Sequence, residues 1–327
     1  EIPTKMYSKV LAELLIGAVL LQQTTAASAP APQASQATEE QDTPEALAAL
    51  EARLAENDEI DERAVNFLNV KNWNEKTIDN KYDPDDLPAL AYALDQIYTG
   101  NAASFKKMVR LQLYLYQKFE DEGDDNDKYT FNVAYYFLKM KKDKQYSNLS
   151  SDLKSKLNEY ISYLPPSLDF FFFQPSFCLL NRKYLQYVYA TETPIDSQRD
   201  HIFVFKSNNI NANQRPWMTK VSDVSTNRQT KLKITLKQNK SKRVAYLERG
   251  NYGGKKNLVA AWHSSFQEPD NYEWNVSLYQ NQLIFSQNGR VICASGSTYD
   301  QNRRYVQGVA GNGLNAPECQ WYAKRCP

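Results

Sequence analysis

Phe177-Cys178-Leu179-Leu180-Asn181, Ile234-Thr235-Leu236-Lys237-Gln238-Asn239 and Leu283-Ile284-Phe285-Ser286-Gln287-Asn288 are three short apolar runs, each ending on Asn. After each Asn come basic residues and a second apolar run: Tyr184 to Ala190, Val244 to Leu247, and Val291 to Ala294. Each stretch then closes on a Trp that opens an alternating segment, at Trp217, Trp274 and Trp321. The Trp spacings are 57 and 47 residues. A unit of about four strands cannot bury its apolar face alone, and three such units close most economically as a barrel capped by hairpins. Residues 168–327 are therefore expected to form an all-β trefoil, with each Trp in the shared core.

The preceding 58–165 carry a helical period instead. Ile60, Ala64, Phe67 and Leu68 share one helix face, and 86–98, 104–120, 129–142 and 149–164 continue the pattern. Pro165-Pro166 is read as the end of the helical part. The acidic run from Glu120 to Asp127 lacks the ligand order of a calcium loop and reads as a solvated connection. The fold class expected is α+β multidomain: an N-terminal helical bundle followed by a C-terminal all-β trefoil. The charge divides the same way. Residues 168–327 hold 21 Lys/Arg against 11 Asp/Glu, a net of +10, and the remainder nets −9.

Upstream, residues 1–5 precede the first Met and are read as untranslated leader. Lys9, a mostly apolar run from Val10 to Leu21, and small residues at Ala26, Ala27 and Ser28 give 6–27 the pattern of a secretory signal. Residues 28–57 read as a low-complexity linker with a short helix over 43–54. The apolar run is too short to span a bilayer. Sequons stand at Asn148, Asn239 and Asn275. The four cysteines, Cys178, Cys293, Cys319 and Cys326, are even in number, and secretion favours disulfides. Three pairings satisfy them, and the short local loop favours Cys319–Cys326 with Cys178–Cys293.

Units one and three share a middle segment, Asp196-Ser197-Gln198-Arg199-Asp200-His201-Ile202 against Asp300-Gln301-Asn302-Arg303-Arg304-Tyr305-Val306. This Asp-x-x-Arg pattern, with Trp near each unit's end, resembles the small Trp- and Cys-rich salivary proteins of mosquitoes. Gln320 directly before Trp321 is similar, in shifted form, to the Gln-x-Trp of ricin-type lectins. The resemblance covers 168–327 and implies a secreted β-trefoil with sugar binding. Unit two has no Asp-x-x-Arg.

Sugar recognition needs an aromatic plate and planar polar groups. Tyr299 and Asp300 beside Arg303 offer both, Asp196 with Arg199 offers the polar pair, and Trp262 stands outside the unit-closing positions as a candidate platform. The competing reading is that each Asp caps its own turn and the Arg pairs with it. Lys231, Lys233, Lys237, Lys240, Lys242 and Arg243 cluster within thirteen positions and make a polyanion a second class of partner. With only His201 and His263, and no nucleophile-elbow or phosphate-loop pattern, no enzymatic activity is expected. Neighbouring strand residues face opposite ways, so Asp200 and His201 are not expected to work as a pair. No cofactor and no metal are expected. The reading is a secreted salivary, lectin-like protein acting on host glycans or glycosaminoglycans, without nucleic acid or a membrane span. The alternative is an effector that binds a host plasma or immune protein.

Overall fold

The computed structural model describes residues 66–205, 217–223, 232–238, 243–248, 250–263, 274–311 and 313–326, with side chains left out over 217–223 and 232–238. The expected signal segment, the linker, Ile60, Ala64, Lys231, Asn239, Lys240 and Lys242 lie outside the described residues.

Helices come first: α1 (Glu75–Lys81), α2 (Leu87–Asp95), α3 (Ala102–Glu122), α4 (Asp127–Lys142), α5 (Ser151–Tyr163) and α6 (Pro166–Phe173). Asn and Ser set most of their starts. Asn74, Asn101 and Asn126 each accept, through the side-chain oxygen, the N–H three residues on at 2.9 Å, and Ser150 does the same for Leu153. This satisfies a donor that the first turn leaves unpaired. The caps at Asn101 and Asn126 move the starts of α3 and α4 two residues upstream of the expected ones.

Half of the acidic run is helix rather than connection. Glu120 to Glu122 are the last turn of α3, and Gly123 closes it in the left-handed region (φ 70°) with its N–H on Glu120 O. Only Asp124 to Asn126 remain between the helices. Asp124 accepts the Tyr82 hydroxyl at 2.5 Å. Pro165-Pro166 does not end the helical part either. Pro166 takes the first position of α6, where its missing N–H costs nothing. Sheet begins at Cys178, and the expected boundary at 165–168 falls inside helix.

The strands fall into three groups. Unit one has β1 (Cys178–Asn181), β2 (Tyr187–Pro194), β3 (Arg199–Phe205) and β4 (Trp217–Asp223). Unit two has β5 (Leu232–Gln238), β6 (Val244–Leu247), β9 (Val259–Trp262) and β10 (Asn275–Tyr279), with a small hairpin, β7 (Asn251–Tyr252) and β8 (Lys255–Lys256), inserted between β6 and β9. Unit three has β11 (Gln282–Gln287), β12 (Arg290–Thr298), β13 (Arg303–Ala310) and β14 (Trp321–Lys324). The last strand of each unit pairs antiparallel with the first of the next: β4 with β5, β10 with β11, and β14 with β1. The middle strands form the hairpins β2–β3, β6–β9 and β12–β13, and β3 in turn pairs with both β9 and β13. This large antiparallel sheet is trefoil-like.

The core repeats with a fixed step. Val188, Ala245 and Ile292 are each followed fourteen residues later by Ile202, Val259 and Val306, and fifteen after that by Trp217, Trp274 and Trp321. All but Trp217, whose side chain is not described, line one apolar void of about 30 Å³. Trp274 donates its indole N–H to Ala245 O at 3.1 Å, and Trp321 donates to Ile292 O at 2.9 Å. The Asn positions do not repeat in the same way. Asn181 is fully buried and donates to Glu318 O, whereas Asn288 sits in the left-handed region (φ 53°) beside Gly289 in a tight turn.

The disulfides are Cys178–Cys326 and Cys293–Cys319, which corrects the expected pairing. The cause is register. Antiparallel pairing sets Cys178 opposite Lys324, two residues from Cys326. Cys293 lies buried in β12, and Cys319 ends the 3-10 turn that leads into β14. One buried apolar cluster runs from the helices into the sheet. Phe171 of α6 joins them, edge-on to Phe285 at 5.9 Å and beside Phe177 at 5.4 Å. Asp127 at the start of α4 accepts the backbone N–H of Gln280 at 2.7 Å.

Candidate functional site: the hairpin corners

Both Asp-x-x-Arg segments fold as corners, the turns that join β2 to β3 and β12 to β13. In unit three, Asp300 Oδ1 accepts the N–H of Asn302 (2.9 Å) and of Arg303 (2.8 Å). Its Oδ2 takes Arg303 Nε at 2.6 Å and Nη2 at 2.5 Å. The Arg303 hydrogen bond holds the Asp300 carboxyl below the usual carboxylate range. Arg303 also donates to Thr193 Oγ1 at 3.2 Å, so the pair ties unit three to unit one.

Unit one repeats the arrangement with a different outer partner. Asp196 Oδ1 accepts the N–H of Gln198 at 2.9 Å, and its Oδ2 takes the Arg199 guanidinium through Nε (2.8 Å) and Nη2. Arg199's other arm pairs with Glu248, and its plane lies 4.5 Å over the Tyr252 ring. Burial alone would raise the Glu248 carboxyl. The Tyr246 hydroxyl, the Gly250 N–H and Arg199 outweigh burial and hold it low. The same step from Ala245 reaches Gly253 and Lys256 in unit two, so no such pair forms there.

Aromatic rings surround the unit-three corner. Tyr299 is 41% exposed. Arg303 lies 4.6 Å from its centroid, Phe203 at 5.0 Å and Tyr305 edge-on at 5.8 Å. His201 stacks on Phe203 at 5.1 Å. Burial is the main cause that pushes the His201 imidazole below its ordinary value; Asp200 works against this and Arg303 adds to it. Lys255 reaches 5.8 Å from the Tyr305 ring.

The remaining sequence candidates scatter. Trp262 is half-buried, edge-on to Tyr246 at 5.8 Å, as Phe205 is to Tyr189 at 5.6 Å. Its place is a recurring packing position rather than an open platform. Lys233 and Lys237 lie on β5. Arg243 does not belong to an outward cationic surface: it pairs with the buried Asp200 at 2.6 Å and donates to Thr191 O at 2.6 Å. His263 contacts the same Asp200 oxygen at 2.9 Å. Asp200 and His201 do point to different surroundings, as strand alternation requires. Asn148 and Asn275 are both exposed.

Sequence reasoning missed Glu248, Tyr252, Phe203 and Thr193. Tyr252 was legible, because it follows Ala245 by the same seven residues that separate Tyr299 from Ile292. Glu248 and Thr193 were not, since they reach the corners only through pairing between units.

No family model matches the chain, and no curated protein matches it. Among solved structures, the chain is similar to a protein of unknown function from Caenorhabditis elegans, with 13% identity, 46% of this chain and 94% of that one covered, and a TM-score of 0.38. It is similar to the SDF2-like protein of Arabidopsis thaliana, with 12% identity, 45% and 91% covered, and a TM-score of 0.36. A salivary protein from Culex quinquefasciatus, of the Cysteine and Tryptophan-Rich family, gives 13% identity, 46% and 94% covered, and a TM-score of 0.36.

Proposed function

We propose that the chain is a secreted, lectin-like carbohydrate-binding protein without enzymatic activity, built as a helical bundle followed by a β-trefoil. Its glycan site is the unit-three corner. The observation that carries this reading is Tyr299, a ring 41% exposed at a turn whose geometry Asp300 and Arg303 fix. An apolar ring face braced from beneath suits the C–H face of a pyranose, as aromatic residues with one wet side do at other recognition sites. Asp300 already accepts four hydrogen bonds, so its part is to position Tyr299 and Arg303 rather than to bind hydroxyls. Arg199 and Asp196 hold Tyr252 in the corresponding way across units one and two. Secretion rests on the leader-like 6–27 and on the disulfides, and the salivary setting with the host as source of the glycan rests on the resemblance of the Asp-x-x-Arg and Trp pattern to the Trp- and Cys-rich salivary proteins.

A glycan array run with the mature chain tests it. Retention of one class of glycan is expected, and Tyr299→Ala should abolish it while the chain still unfolds in a cooperative thermal transition. A blank array, neutral and sulfated glycans alike, removes the reading. Retention that survives Tyr299→Ala moves the site elsewhere.

A further inference from the structure

A cavity of about 300 Å³ opens in the helical part, between the end of α2 and the facing sides of α3 and α4. Phe105, Met108, Leu138 and Met140 form its walls, and all four are buried. Its volume is at the small end of ligand pockets. The two methionines are unbranched and polarizable, and such walls adapt to a flexible apolar guest.

The charged groups that line the cavity are Asp95, Lys139, Lys142 and Asp143. Lys139 pairs with Asp95 at 2.8 Å. Lys142 is exposed one turn further along α4 and also lines the cavity. Both carboxylates there are already engaged. Asp95 accepts from Lys139 and Gln96, and Asp143 accepts the Tyr98 hydroxyl at 3.1 Å and the Gln145 N–H at 2.7 Å. An ammonium carries three donors, and Lys139 gives one to Asp95. The cavity lining carries two lysines, Lys139 and Lys142, and two carboxylates, Asp95 and Asp143. Apolar walls lined also by two lysines, with both carboxylates of the lining already holding donors, fit one ligand class.

We infer that this cavity binds a small amphipathic organic anion, a carboxylate on a short apolar chain, with the chain between Met108 and Met140 and the head on Lys139 and Lys142. The inference is independent of the glycan site, because it rests on the helical part alone.

Decanoate is the probe, titrated into the full chain by calorimetry, with decanol and decylamine as matched controls. The chain holds four methionines, at 6, 108, 140 and 218, so methyl-labelled methionine reports the location by NMR. Decanoate is expected to bind about tenfold or more tightly than either control, a difference of about 1.4 kcal/mol. The Met108 and Met140 methyls should shift together and Met218 should stay. Lys142→Gln removes an exposed charge and should weaken decanoate about two- to fivefold, in the range of a surface ion pair, while leaving decanol unchanged. Equal binding of decanol overturns the role of the lysines. Tighter binding of decylamine makes Asp95 the anchor and overturns the anion. Still Met108 and Met140 signals with saturating decanoate overturn the site.

Discussion

Asp300 and His201 stand within one aromatic cluster and respond to acid for different reasons. Arg303 holds the Asp300 carboxyl below its usual range. Its pairing therefore contributes full stability above the unfolded carboxylate pKa of ~3.9 and loses it as pH falls through the lower folded value. Asp300→Asn should destabilise the fold by about 1 kcal/mol or less at pH 7, because the pair is partly exposed and screened. Urea unfolding across pH should show the difference constant down to about pH 4.5 and vanishing well below ~3.9. The imidazole of His201 is instead held neutral, chiefly by burial. Below an unfolded pKa of ~6.5 the unfolded chain takes a proton that the folded one refuses, so stability rises with pH through that window. His201→Phe should flatten the slope there, and an unchanged slope would assign it to another group. At this scale the Asp-x-x-Arg pairs were legible because both partners lie within one turn. The Asp200–Arg243–His263 contact was not, because strand pairing across 43 and 63 residues creates it.

Helix ends were legible to within a few residues, since Asn and Ser caps are local chemistry. Pro165-Pro166 misled because proline stops a helix from within but starts one at its first position, and Ser167 to Phe173 follow it with apolar residues that have a core to enter. Disulfide pairing was illegible for a different reason. Short loops close most easily in an open chain, yet the strand register had already brought Cys178 to the chain's end. The two bridges enclose 148 and 26 residues. In the chain-entropy account, removing them costs about 5 and about 3.5 kcal/mol respectively. Replacing Cys178 and Cys326 by Ala should thus lower the guanidinium midpoint more than replacing Cys293 and Cys319. The reverse order would mean that packing of Cys293 and Cys319 around Ile284 and Val291 outweighs loop closure.

Across the whole molecule, the sequence divides into an acidic helical part and a basic sheet part, and that contrast suggests two separable units. The side chains join them. The apolar run Phe170 to Phe173 has no polar partner face in the sequence, and periodicity could not say what would cover it. In the structure Phe171 is 1% exposed, held against Phe172, Phe177 and Phe285, and so belongs to helix and sheet at once. Truncating it would open a cavity that neither part can close alone. Phe171→Ala is expected to cost about 3–5 kcal/mol. The distinctive consequence is where that loss is felt. If helices and sheet share one cooperative core, hydrogen exchange should quicken together in peptides from α3 and α4 and in peptides from β11 and β14, and unfolding should remain a single transition. If they fold separately, exchange should quicken only near α6, and the helical and sheet signals should split into two transitions. The buried cluster from Ile78 through Phe171 to Trp321 favours the first outcome, because among the described residues helix and sheet side chains belong to one connected core.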